Sequence, residues 1–274
     1  SSSAHLLDDD EFLLSLTESE QQWQFTGLSE KPVASLLRGF SAPVKLNFQY
    51  QPHELLQLLE VDNDGFIRWD ASQRYAFQLV EAHLNGEQEI YSAAGQQAVE
   101  ALGLSLSQLL AQGLSHKGWD PACDAALTAE IIRLPSYAYL IEQFDSVDIH
   151  AVSEALECLQ ISLSDQLKSV MVDCYKKLRQ QLESLGGYQP LADHVALRSL
   201  KNTCLAFLMR SNDSSLLHLA ETQFDLANNM TDQSSALSAL VNCPLTDAES
   251  AAQLRVDRFY QQWSSESLVV NQWL

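Results

Sequence analysis

Two hydrophobic periods divide the chain. Up to about residue 50, apolar side chains recur at every second position. WQFTGL puts Trp23 and Phe25 on one face, and VKLNFQY alternates Val44, Leu46, Phe48 and Tyr50 with Lys45, Asn47 and Gln49. A period of two is that of a half-buried strand, whose successive side chains point to opposite faces. Pro32 and Pro43 mark strand starts or edges, because proline donates no ladder hydrogen bond. Three or four strands fit before residue 51. A sheet that small does not stand alone, so this module is expected to lean on the helical residues or to belong to a larger sandwich.

From Pro52 onward the period lengthens to that of a helix. HELLQLLE reads as one short helix, and WDASQRYAFQLVEAHL carries Trp69, Tyr75, Leu79, Val80 and His83 at helical spacing. In WDPACDAALTAEIIRLP, Asp120 is placed to cap a helix, Pro121 stands at its favoured first position and Pro135 ends it. Further helical stretches cover about 148–185, 191–210, 214–229 and 232–242. The last, 247–263, opens with Thr246 and Glu249 in capping-box spacing. Gly186, Gly187 and Pro190 interrupt the series, with LGG at 185–187 read as a helix C-cap. Eight to ten helices with short connections and no strands between them imply helix packed on helix. The expected fold is therefore mainly α: an irregular α-helical bundle or solenoid of antiparallel helix pairs, preceded by a small β-strand module, a partial β-sandwich.

The charge balance narrows the partners. Sixteen Lys and Arg against 36 Asp and Glu give a net charge of −20. Binding modes that neutralise phosphates are thereby disfavoured, so neither nucleic acid nor an anionic membrane is an expected partner. No apolar run reaches the roughly 18–20 residues of a membrane-spanning helix. The opening SSSAHLLDDDEF has no basic region before an apolar core and so does not read as a signal peptide. A cytoplasmic protein is expected, unless the start has been removed. Cys123, Cys158, Cys174, Cys204 and Cys243 are odd in number, at least 16 residues apart and set in apolar helical stretches, a pattern of reduced, buried thiols.

Chemistry is hard to find. EVDNDGFIRWDA, residues 60–71, resembles a calcium loop at Glu60, Asp62, Asp64 and Gly65, but Arg68 and Ala71 occupy positions 9 and 12, where the ligands that close the cage belong. It reads instead as a polar turn between two helices. Nearest neighbours among the seven histidines are 24 residues apart, so no helix presents two imidazoles four positions apart. In HELLQ, Gln57 stands where a second histidine would be, which leaves His53 a first-turn surface residue. Nucleophile elbows and glycine-rich phosphate loops are lacking. Carboxylate groupings such as Asp148 with Glu154, or Asp8 to Glu11, read as solvated faces or helix-start charges. Phe259, Tyr260, Trp263 and Trp273 read as core packing, with a partner-binding edge the alternative.

Several segments, in order, carry a resemblance. LTESEQQWQFTGLSEKPVASLLRGFSAPVKLNFQY (16–50), DGFIRWDASQ (64–73), DPA (120–122), AEIIRLPS (129–136), ANNMTD (227–232) and FYQQWSSESLVVNQW (259–273) together resemble bacterial aminopeptidase N, the zinc-dependent alanyl aminopeptidase family. The first covers the end of that family's small β-domain, and DGFIRWDASQ matches its D-x-F-x-R-W-x-A-x-Q segment at the start of the C-terminal helical domain. The resemblance implies a parent enzyme that removes N-terminal residues from peptides, with zinc held in a thermolysin-like domain by two histidines and a glutamate. The family's H-E-x-x-H and G-x-M-E-N segments do not occur in this chain.

No catalytic or metal-ligating residue is therefore expected here, no cofactor is expected in this chain, and the substrate-binding residues are unknown. Residues 1–50 are expected to be the end of the small β-sandwich-like domain, and 51–274 an α-helical C-terminal domain that is incomplete. The implied function is a noncatalytic portion that packs over the missing catalytic domain and helps enclose a peptide substrate's chamber. The alternative is a free-standing α-helical scaffold that binds a protein or peptide. In either case Asp62 to Gly65 serve as the connector, and Arg68, Trp69 and Asp70 open the helix that follows, Trp69 on its core side.

Overall fold

A computed structural model describes residues 4–8 and 11–273. Contacts divide the chain into two units, 1–34 and 35–274. In the first, β1 (Ala4–Asp8) pairs antiparallel with β2 (Glu11–Leu14), with Leu6 opposite Phe12. The Phe12 and Phe25 rings meet edge to face at 5.1 Å.

The second unit is helical. α1 (Pro52–Val61) and α2 (Gly65–Leu84) form a tight pair, and α3 (Ala93–Gly113) follows. A two-residue ribbon, β3 (Leu114–Ser115) with β4 (Gly118–Trp119), leads to α4 (Ala125–Ile132) and the short α5 (Tyr137–Ile141). α6 (Ile149–Ser184) runs for 36 residues and packs against α2, α3, α5 and α7 (Ala192–Leu208). A 3₁₀ turn (Ser214–Leu216) introduces α8 (Leu217–Leu226), after which α9 (Met230–Val241), α10 (Asp247–Trp263) and α11 (Ser267–Trp273) complete the series. α9 packs on α7, α8 and α10. The core is the shared apolar stripe of these helices, including Leu102, Leu106, Leu159, Leu163, Met171, Leu200 and Leu240. A mainly α array of packed helix pairs, preceded in the sequence by a small β module, is thus observed.

Local details correct the sequence reading. Residues 23–28 and 44–50 form no strand. The alternation in VKLNFQY yields only one buried residue, Tyr50, while Val44 is 60% and Phe48 41% exposed. Backbone groups that a ladder would use go to side chains of α2: Arg74 donates to Phe48 O at 3.3 Å and Gln78 to Tyr50 O at 2.9 Å. A β ribbon, absent from the sequence reading, does stand between α3 and α4.

The helix expected at Asp120 begins later, capped by Asp124, whose carboxylate accepts from Leu127 N at 2.9 Å. Asp120 closes its own turn with Ala122 N, and Trp119 Nε1 donates to Cys123 O, so these residues are committed to the ribbon's exit. Thr246 makes no capping bond, because its own backbone is already helical (φ −59, ψ −32). Asp70 lies beyond the first turn of α2 and pairs with Arg74 at 2.7 Å. Trp69 is half-buried and packs on Phe66 at 5.7 Å.

The C-cap reading of 185–187 holds: Leu185 caps α6 and Gly186 takes φ +88, a left-handed conformation that glycine adopts without strain. All five cysteines are free, but only Cys174 and Cys204 are fully buried.

Candidate functional site

Two polar clusters and one groove stand out. The first cluster explains the acidic turn. Asp64 caps α2, its Oδ1 accepting from Phe66 N (2.9 Å) and Ile67 N (3.0 Å), and its Oδ2 accepts from Gly39 N at 2.6 Å. Asp62 accepts from Arg38 Nη1 at 2.7 Å and Asn63 from Arg38 Nη2. The turn therefore clasps the LLRGF segment onto the start of α2. Partial burial alone would raise the Asp64 pKa, but the amide donors of Ile67, Gly39 and Phe66, with Arg38 beside them, hold it below the usual carboxylate range. Both carboxylates that carry the likeness to a calcium loop thus have a role within the protein, Asp62 through Oδ1 and Asp64 through both oxygens.

The second cluster lies where α7, α8 and α9 meet. Asn229 caps α9 by accepting from Asp232 N at 2.9 Å, and the Asp232 carboxylate receives Lys201 Nζ (2.8 Å), Asn202 (3.0 Å) and Asn229 Nδ2 (3.1 Å). Gln223 bridges Asn202 Oδ1 and Asp232 O, and itself accepts from the Tyr175 hydroxyl at 3.1 Å. Burial pulls the Lys201 pKa below the ordinary lysine range, with Asp232 opposing and Arg198 and Arg179 adding to the fall. Burial likewise pushes the Tyr175 phenol to about 12. Each member is partnered, which is what a buried polar network needs if it is to hold helices together.

Between α7 and α9 runs a groove of about 1270 Å³, walled also by residues of α6, α10 and α11. Its wall includes Arg133, Arg198 and Arg210 and no aspartate or glutamate. A smaller cavity of about 120 Å³ adjoins the Lys201 cluster and shares Tyr188 and Arg198 with the groove.

The side chains singled out from sequence are dispersed. His53 and Gln57 are exposed on α1. Asp148 caps α6, accepting from His150 N at 2.9 Å, and Glu154 is exposed one turn on. Phe259 is buried against Phe224 and Trp263, Tyr260 is 47% exposed, and the side chain of Trp273 lies outside those described, as do Asp9 and Asp10. Among the described residues, no group of three or more His, Cys, Asp or Glu is placed to hold a metal ion, and no helix is long and apolar enough to cross a membrane.

The sequence reading passed over Arg198, Lys201 and Gln223. The signal was present, since Arg198 and Lys201 fall within the apolar stripe Leu197, Leu200, Cys204, Leu205 and Leu208. A charge on a buried stripe marks either an ion pair or a ligand.

Stacked helix pairs with a groove between α7 and α9 define a helical-repeat protein. The chain belongs to the family described as "Domain of unknown function (DUF3458_C) ARM repeats", matched over residues 52–274, and residues 2–49 match "Domain of unknown function (DUF3458) Ig-like fold". It is 30% identical to aminopeptidase N of Haemophilus influenzae and 31% identical to that of Escherichia coli, over 261 residues in each case. Each match covers 95% of this chain and 28% of the relative. Among solved structures, Legionella pneumophila aminopeptidase A in complex with aspartic acid aligns with a TM-score of 0.76 and 25% identity, over 96% of this chain and 29% of that one. The chain thus spans about 28% of the length of the curated relatives it matches, and the portion matched is a noncatalytic part of an aminopeptidase N-like protein.

Proposed function

We propose that this chain serves as the noncatalytic β-to-helical portion of an aminopeptidase N-like zinc metallopeptidase that removes N-terminal amino acids from peptides in the cytoplasm. In this reading, residues 1–50 end the small β-sandwich-like domain and 51–274 belong to the helical domain. The helices pack over a catalytic domain that carries the zinc, and they help enclose the chamber in which the peptide is held. Such a cover excludes water and bulky chains without taking part in bond cleavage. The observation that carries the reading is the match to aminopeptidase N along 95% of this chain. H-E-x-x-H, which in the resembled enzymes supplies the metal ligands, does not occur in these 274 residues.

The test is to incubate the purified chain with an alanyl chromogenic substrate and assay the same sample for metal. No turnover above buffer and no stoichiometric zinc are expected. Zinc-dependent release of the chromophore by this chain alone would overturn the assignment.

A further inference from the structure

Three cations are buried among the described residues, and they are not treated alike. Lys201, 4% exposed, meets Asp232 at 2.8 Å. Arg255, 6% exposed, meets Glu221 at 3.1 Å and Asp225 at 2.9 Å. Arg198 is 5% exposed, yet among the described residues no carboxylate lies within ion-pair distance of it. Its partners are neutral: Nη2 donates to Gln189 O at 2.9 Å, and the guanidinium lies 4.6 Å from the Tyr188 ring centroid. A guanidinium taken out of water without a counter-ion is strongly disfavoured. Here it is nonetheless fixed in place by the loop that follows Gly186.

Two further features lie on the same groove wall. Acids outnumber bases 36 to 16 in the chain, but this wall holds three arginines and no carboxylate. The Ser164 hydroxyl, 1% exposed, also faces the groove and has no hydrogen-bond partner. Of the outer arginines, Arg133 is taken up by both oxygens of the exposed Glu130 (2.9 and 3.2 Å) and by the Thr203 hydroxyl (3.3 Å), whereas Arg210 is only loosely engaged, meeting Glu157 at 4.0 Å, the outer limit of an ion pair.

We propose that the α7–α9 groove receives an acidic, extended polypeptide segment, one carboxylate of which pairs with Arg198. Arg198 lies on α7 and Arg210 in the turn two residues past its end, twelve positions on; carrying the helical rise of 1.5 Å per residue through that turn puts them about 18 Å apart. An extended chain covers that distance in about five to six residues. A segment with two acidic side chains about five positions apart therefore reaches both arginines, and Ser164 offers its hydroxyl to the backbone or to a carboxylate. This inference rests on the groove's own chemistry and stands or falls separately from the aminopeptidase reading, because binding is measured without any catalytic domain.

The probe is a fluorescent hexapeptide of alanine and serine with glutamate at both ends, acetylated and amidated so that no terminal charge contributes. By anisotropy, the unaltered chain should bind it at least tenfold more tightly than the same peptide with glutamine at both ends, and the preference should shrink as salt rises. Arg198→Met should abolish the preference, and Arg210→Gln, a change at a partly exposed position, should reduce it about fivefold. Equal binding of the two peptides, or a preference that survives both substitutions, overturns the proposal. So does competition by acetylglutamate amide as effective as the peptide itself, which would make this a small-anion site. If Arg198→Met fails to fold, the paired peptides on the unaltered chain and Arg210→Gln still decide.

Discussion

Arg198 and Lys201 lie three positions apart on one helix and are equally hidden from water, but their surroundings differ. At the α7–α9 junction Lys201 is closed around Asp232, Asn202 and Gln223, and every polar atom has a use within the fold. On the groove wall Arg198 is steadied by an aromatic ring and a carbonyl but neutralised by nothing described. The contrast teaches that burial alone does not say what a charge is for. A buried cation whose carboxylate belongs to the same chain holds the fold together, whereas one whose carboxylate is missing points to something outside it.

The sharpest way to test the contrast is Lys201→Met. It leaves the Asp232 carboxylate buried and uncompensated, so a loss of about 3–5 kcal/mol is expected in urea unfolding. Arg198→Met, which removes a charge that has no counter-ion to strand, should leave the denaturation midpoint unchanged or raise it. A large loss at both positions would erase the distinction.

A smaller effect is expected at the partly buried Arg38 clasp. Asp64→Ala removes the cap of α2 and should cost about 0.5–2 kcal/mol. The Asp64 pKa is held below its unfolded value, so the stabilisation it gives is present above the ordinary carboxylate range and is lost as pH falls through the lowered value. Acid titration of the unfolding midpoint should therefore be shallower in Asp64→Asn than in the unaltered chain. The smallest effect is expected at Thr246→Ala, within about 0.5 kcal/mol, because that hydroxyl caps nothing.

How far the sequence disclosed this molecule depended on whether a signal was local. Helix period is local, and α6, α7 and α10 lie close to where the apolar stripes put them. The acidic turn was also legible, since Asp and Asn before a glycine specify a turn and a cap whatever surrounds them. VKLNFQY failed because a strand requires a partner ladder, and the groups it would pair with are side chains of α2, distant in sequence. Asp120 and Thr246 failed for a related reason: both have the right residue type, but their backbones are engaged in neighbouring turns. The groove lay furthest from view. Arg198, Ser164 and Arg210 come from two helices and the turn after α7, and only the packing of α6 on α7 brings them to one wall.

The length of α6 has a consequence for how such a chain can change. At 1.5 Å per residue its 36 residues reach about 54 Å, and its buried positions, Val152, Leu159, Leu163, Leu167, Met171, Cys174 and Leu178 among them, keep one continuous seam against successive neighbours. Exchanging one aliphatic residue for another along that seam disturbs a single layer. Deleting one residue near the middle turns everything beyond it by about 100°, so half of the seam would swing toward solvent at once. Descendants of this sequence can thus drift freely in spelling along α6, but they are bound to preserve its count.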